Sequence, residues 1–190
     1  GLLPIKNIDL PEKLKRNTAK LQAAENKKKL GRSIEERPES VELRNEFGHW
    51  EIDSVLGLKN ENEPVVITLV ERMTRMCLWI KAKNHTAEAM QEAFEEVVSV
   101  FLSKKNQVFK TVTGDNGSEF ATLADFEKYG MSVYFTHPYT SCEKGTNECH
   151  NKMLRRFIPK GKPISSYTAE DICYFADCIN GLPRKILGYR

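Results

Sequence analysis

The stretch "KTVTGDNGSEFATLADF", residues 110–126, holds the decision about the fold. Asn116-Gly117 between two alternating strands would be a strong hairpin signal, and Asp115 would then be a plain turn-former. The residues that follow argue for a different path. Phe120, Leu123 and Phe126 recur at helical spacing, so the chain runs strand, turn, helix. Junctions of that kind collect ligand sites at the carboxyl ends of sheet strands. An Asp before Asn-Gly is more often part of a turn than of a reaction, so Asp115 alone decides nothing about function.

Upstream, "HWEIDSVLG" (49–57) alternates with period two: Trp50, Ile52 and Leu56 share one face, and Glu51, Asp53 and Val55 the other. Asp53 therefore sits mid-strand, where Asp is disfavoured. "LKNENEP" reads as a turn, and "VVITLVE" and "RMCLWIKAK" as two further strands whose short polar link suits an antiparallel meander. "HTAEAMQEAFEEVVSVFLSKK" places apolar residues at 90, 94, 97 and 101, with Thr86 as N-cap and Glu88 in the first turn, and is an amphipathic helix. A strand over "QVFKTVTG", a helix over 119–129, a strand "MSVYFTHP" closed by Pro138, and helices over 143–158 and 168–180 complete the chain. The order βββαβαβα predicts an α/β fold, a mixed five-stranded sheet flanked by helices.

Residues 1–40 are rich in lysine and broken by "GRSIEERPES", and read as a basic extension or linker; 41–190 form one main domain. No apolar run approaches the roughly 18–20 residues of a membrane span, and no secretory signal opens the chain, so a soluble, cytoplasmic protein with no membrane partner is expected. The five cysteines are odd in number and lack a CxxC pair, which suits a reducing compartment. Cys142, Cys149 and His150 lie close in sequence, and a zinc site is weighed there against ordinary thiols. The net charge of +3 conceals a segregation: residues 41–150 carry 17 acidic against 11 basic side chains, while both ends are basic. Basic flanks around an acidic centre suit either a nucleic acid held beside bound cations or merely solvated termini.

In "EKGTNECHNKMLRRFIPKGK" the residues Glu148, Asn151, Lys152 and Arg155 fall on one helical face, with Leu154, Phe157 and Ile158 turned the other way. Alone, that face reads as solvated, with a Glu-to-Lys pair four residues apart. Asp53 on a strand, Asp115 at a strand end and Glu148 on a facing helix can, however, converge. Clustered carboxylates repel one another and raise their pKa values unless cations neutralise them. Mg²⁺ takes such hard oxygen donors, and a pair of ions serves phosphodiester chemistry.

"GHWEIDSVLG", "TGDNGSEFA", "HPYTSCEKGTNE", "NKMLRRFIPKG" and "LPRKILGY" together resemble the catalytic region of bacterial transposases of the insertion-sequence-thirty family, within the retroviral-integrase-like DDE superfamily. The likeness runs from about residue 30 to the end, with 33 positions from Asp115 to Glu148, and Gly145, Asn151 and Arg155 also fit the integrase pattern. The resemblance implies an RNase H-like fold and a catalytic triad of Asp53, Asp115 and Glu148 that binds two Mg²⁺ or Mn²⁺ ions. It implies cleavage at element ends, then transfer of the freed 3′-hydroxyl to a target phosphodiester. The partners are then DNA, both element ends and target, and further copies of the chain, at least a dimer on DNA.

Lys152 and Arg155 would contact that DNA near the scissile phosphate, and Arg156, Lys160 and Lys162 are further phosphate-contact candidates by charge alone. Cys142 stands where the family often has Trp, and Cys149 where a polar or basic residue is common. The family's helix-turn-helix region is expected upstream of Gly1. Two other readings are a nuclease without strand transfer and a non-catalytic DNA-binding module from a decayed element.

Overall fold

The computed structural model describes residues 30–58, 60, 62–101, 103–137 and 141–189. Of the extension expected over residues 1–40, residues 1–29 lie outside the described residues, as do the strand end at Pro138 and the side chain of Cys142. Three antiparallel strands form first: β1 (His49–Leu56), β2 (Val65–Glu71) and β3 (Cys77–Ala82). Two short strands, β4 (Thr111–Gly114) and β5 (Ser132–Phe135), then add parallel to β1 and to one another. The five-stranded sheet has the order β3-β2-β1-β4-β5, so β1 is central and separates the antiparallel half from the parallel half.

The short helices α1 (Glu39–Leu43) and α3 (Lys105–Val108) are single turns, whereas α2 (Ala87–Val100), α4 (Gly145–Phe157) and α5 (Ala169–Asn180) cover the sheet. Period-two alternation sorts the strand residues between two cores. Trp50, Ile52, Val65, Ile67 and Leu69 meet Phe94 of α2 and Phe109, Phe120 and Phe126 on one face. Val55, Val66, Val70 and Trp79 meet Leu154 of α4, Ile158 just after it, and Ile172 and Ala176 of α5 on the other. Because both faces are covered, all seven residues of β2 are buried. Each large side chain so buried contributes about 1.5–3 kcal/mol.

Thr86 caps α2 as its sequence predicts, its hydroxyl accepting the Ala89 N–H at 3.3 Å. The segment after Asp115 departs from the expected α-helix. It forms 3₁₀ turns over Ser118–Phe120 and Leu123–Tyr129. The reason lies in the spacing: Phe120, Leu123, Phe126 and Tyr129 repeat every third residue, which stacks them on one face at three residues per turn. The strand expected over 107–114 is likewise shortened to β4, because α3 ends at Val108 and Phe109 turns into the aromatic cluster, its ring 5.4 Å from Trp50.

Residues 30–33 lie along β5: Phe135 donates its N–H to Arg32 O at 2.8 Å, and Ser33 bridges Phe135. At the far end of β1, Gly57 packs against the turn after α4, where a Cβ would lie 2.5 Å from the Lys162 carbonyl oxygen and 3.0 Å from Ile164 N. Backbone cannot yield there as a flexible side chain would. Gly57→Ala is expected to lower stability by about 1–3 kcal/mol, read as a fall in denaturation midpoint; an unchanged midpoint would mean that this contact is loose.

Candidate active site

The register between β1 and β4 places the two aspartates. His49 pairs with Thr111, Trp50 with Val112 and Glu51 with Thr113, and two residues further along Asp53 and Asp115 come level on neighbouring strands. Asp115 directly follows β4, and one of its oxygens, Oδ1, accepts the Gly117 N–H at 2.9 Å. Gly117 has φ −67, so the Asn-Gly pair makes no hairpin turn. Asn116 instead ties two segments together, accepting the Leu30 N–H and donating to Thr136 O at 2.5 Å.

The second oxygen of Asp115 and one oxygen of Asp53 share a cation. Lys144 Nζ lies 3.0 Å from Asp53 Oδ1 and 3.0 Å from Asp115 Oδ2, and 3.3 Å from Ile52 O. Burial pulls this ammonium down, but the two carboxylates together outweigh that pull and hold it above the ordinary lysine value. Asp53 Oδ2 accepts from Asn151 Nδ2 at 2.7 Å. Asn151 is itself oriented by Thr68, the residue paired with Asp53 across β1 and β2, whose hydroxyl faces Asn151 Oδ1 at 3.0 Å and Asn147 Oδ1 at 2.9 Å.

Two residues earlier on the same face of β1, Glu51 anchors α4. It is fully buried, and its Oε2 accepts the Asn147 N–H of the first turn of α4 at 2.9 Å. A carboxylate there satisfies an otherwise unpaired helix amide and opposes the positive end of the helix dipole. Its Oε1 takes Arg72 Nη1 at 2.5 Å, and Arg72 also bonds Val41 O and Glu42. Burial and the neighbouring Arg72 push the nearby Arg37 down to about 10.

Of the sequence-predicted residues, Asp53 and Asp115 are thus brought together. Glu148 lies in the first turn of α4 and is exposed. Among the described residues no three His, Cys, Asp or Glu side chains are grouped to hold a metal. Lys152, Arg156, Lys160 and Lys162 are exposed on or just beyond α4. Arg155 is half-buried, donates to Leu56 O at 2.8 Å and is pulled below its usual pKa by burial. Of the residues weighed for zinc, His150 has its ring nitrogens facing Thr146 O and Arg75 O at 2.9 and 3.0 Å and Cys149 is exposed, while the side chain of Cys142 lies outside the described residues.

Sequence reasoning missed Lys144 and Glu51. The available signals were slight: Lys144 is the only lysine or arginine between Lys128 and Lys152, and Glu51 shares the strand face of Asp53.

Residues 44–141 match the integrase core domain family. The chain belongs to that family. This integrase core is 43 % identical over 190 residues to the "Probable transposase for insertion-like sequence element IS1161" of Streptococcus salivarius, covering 100 % of this chain and 53 % of that protein. It is 38 % identical to the "Transposase for insertion sequence element IS4351" of Bacteroides fragilis, over 82 % of this chain and 46 % of that protein. To the "Transposase InsI for insertion sequence element IS30A" of Escherichia coli (strain K12) it is 32 % identical, over 84 % of this chain and 40 % of the relative. The chain spans about half the length of the curated relatives it matches.

Among solved structures, it is similar to a chain of the "CryoEM structure of simian T-cell lymphotropic virus intasome in complex with PP2A regulatory subunit B56 gamma", with a TM-score of 0.45 and 17 % identity, covering 58 % of this chain and 39 % of that one. The resemblance to insertion-sequence-thirty transposases holds, and the mixed five-stranded sheet is the RNase H-like integrase core it implied. No helix among the described residues is long and apolar enough to cross a membrane.

Proposed function

We propose that this integrase core carries the catalytic site of a DDE transposase, cleaving DNA at element ends and joining the freed 3′-hydroxyl to a target phosphodiester. The observation that carries the reading is the pair of neighbouring carboxylates, Asp53 and Asp115, sharing one cation seat. Hard oxygen donors that already hold an ammonium between them have the chemistry to hold Mg²⁺ or Mn²⁺. Asp53, Asp115 and Glu148 are the proposed ligands of two such ions, which when bound would activate the attacking oxygen and stabilise the leaving one.

The chain's other residues hold this site in shape. Asn151 fixes the Asp53 carboxylate, Thr68 fixes Asn151, and Glu51 fixes the start of the helix on which Glu148 lies. Lys152 and Arg155, with Arg156, Lys160 and Lys162, are the proposed phosphate contacts, and DNA at which copies of the chain assemble as at least a dimer is the proposed partner. The basic residues of α4 and its following turn favour this over a nuclease that does not join strands.

Cleavage and joining of labelled element-end DNA with Mg²⁺ or Mn²⁺, in wild type and in Asp115→Asn and Glu148→Gln, tests the reading. Joined product separates a transposase from a simple nuclease. Phosphate contact has its own measure: Lys152→Gln is expected to reduce the slope of log affinity against log salt by about 1. An unchanged slope would return Lys152 to the solvated face of α4.

A further inference from the structure

We propose that Lys144 is an internal counter-cation that occupies the metal seat between Asp53 and Asp115 and must leave it when a divalent cation binds; the inference rests on the metal-site reading above. Lys144 Nζ contacts one oxygen of each aspartate at 3.0 Å and is capped from behind by Ile52 O at 3.3 Å. Its residue is only 6 % exposed, although its charge is of the kind that ordinarily stays in water. The contacts are those of a ligated cation: carboxylate and carbonyl oxygens converge on one positive centre.

Two cations cannot share that seat. A divalent ion held by the same oxygens would meet the ammonium at close range in a partly buried site, where like charges repel strongly. Lys144 therefore swings out as metal enters.

The chain around Lys144 is suited to this movement. Lys144 is the residue just before α4, where the 3₁₀ turn Ser141–Lys144 gives way to helix. The next residue, Gly145, has open space where a side chain would stand. The helix behind it is held independently by Glu51 at Asn147, so the lysine can leave without the helix. Glu148, four residues on and exposed, is the carboxylate on the same helix available to face the seat as Lys144 leaves it. In the metal-free chain Lys144 thus keeps Asp53 and Asp115 from repelling one another, and it lowers metal affinity by the fraction of time it fills the seat.

Calorimetric titration of Mn²⁺ into wild type, Lys144→Met and Asp115→Asn tests this. Lys144→Met is expected to bind about tenfold tighter than wild type, the gain when the open fraction rises from about one in ten to nearly all. Asp115→Asn is expected to lose the site. If wild type loses binding on Asp115→Asn but Lys144→Met is no tighter, the inference about Lys144 falls and the metal site stands. If Asp115→Asn binds as wild type does, the metal-site reading falls, and this inference with it. A second measurement needs no variant: amine labelling of wild type, read by mass spectrometry, is expected to spare Lys144 in chelator and to modify it with Mn²⁺. Equal labelling in both would overturn the proposal.

Discussion

Asp115→Asn is expected to reduce both cleavage and joining by on the order of a thousandfold or more, the scale on which removing one member of a catalytic unit acts. The substitution is informative because the two oxygens of Asp115 have separate tasks. Oδ1 accepts the Gly117 N–H and shapes the turn, while Oδ2 faces the cation. An Asn retains an oxygen for the turn and loses the charge, so the fold is expected to survive while the site does not. Glu148→Gln changes an exposed side chain and should alter stability by no more than about 0.5 kcal/mol, yet remove the same two activities. Wild-type rates in either variant would strike that residue from the triad.

The second large effect is on stability. Glu51→Ala is expected to cost about 3–5 kcal/mol, the range found when one partner of a buried ion pair is removed. Glu51 is fully buried and joins three elements: β1 that carries it, Arg72 just after β2, and the first turn of α4. Its loss leaves the Arg72 guanidinium, 2 % exposed, with only Val41 O and Glu42, and leaves the Asn147 N–H without its acceptor. Denaturant unfolding measures the change. A loss below about 1 kcal/mol, the range of exposed pairs, would mean that Glu42 alone suffices for Arg72.

The physical basis of each reading explains how far the sequence can be followed. Strand β1 is legible because successive side chains alternate between the two faces of a sheet, and β2 because its apolar run is continuous, as burial on both faces requires; Asp53 stands out as a carboxylate where the pattern wants a β-former. The segment after Asp115 folds as 3₁₀ turns where helical spacing suggests an α-helix, although its period of three is present in Phe120, Leu123, Phe126 and Tyr129. The amino-acid pattern allows Asp53, on a strand, and Asp115, at a strand end, to converge, but it is the parallel register of β1 and β4 that brings them level. Lys144 cannot be foreseen in the same way. A lysine in a polar loop reads as solvated, and only the packing of that loop over the middle of β1 and the end of β4 buries it.

The strip formed by residues 30–33 has a consequence for assembly. A sheet edge with free amides is a template for another strand. At the β5 edge, Arg32 and Ser33 already occupy the backbone of Phe135. At the β3 edge, Lys81 reaches out to Tyr167 O while α5 lies against the strand. Among the described residues both edges of the sheet are thus partly occupied by the chain's own segments, which leaves each a poorer template for a strand from another copy.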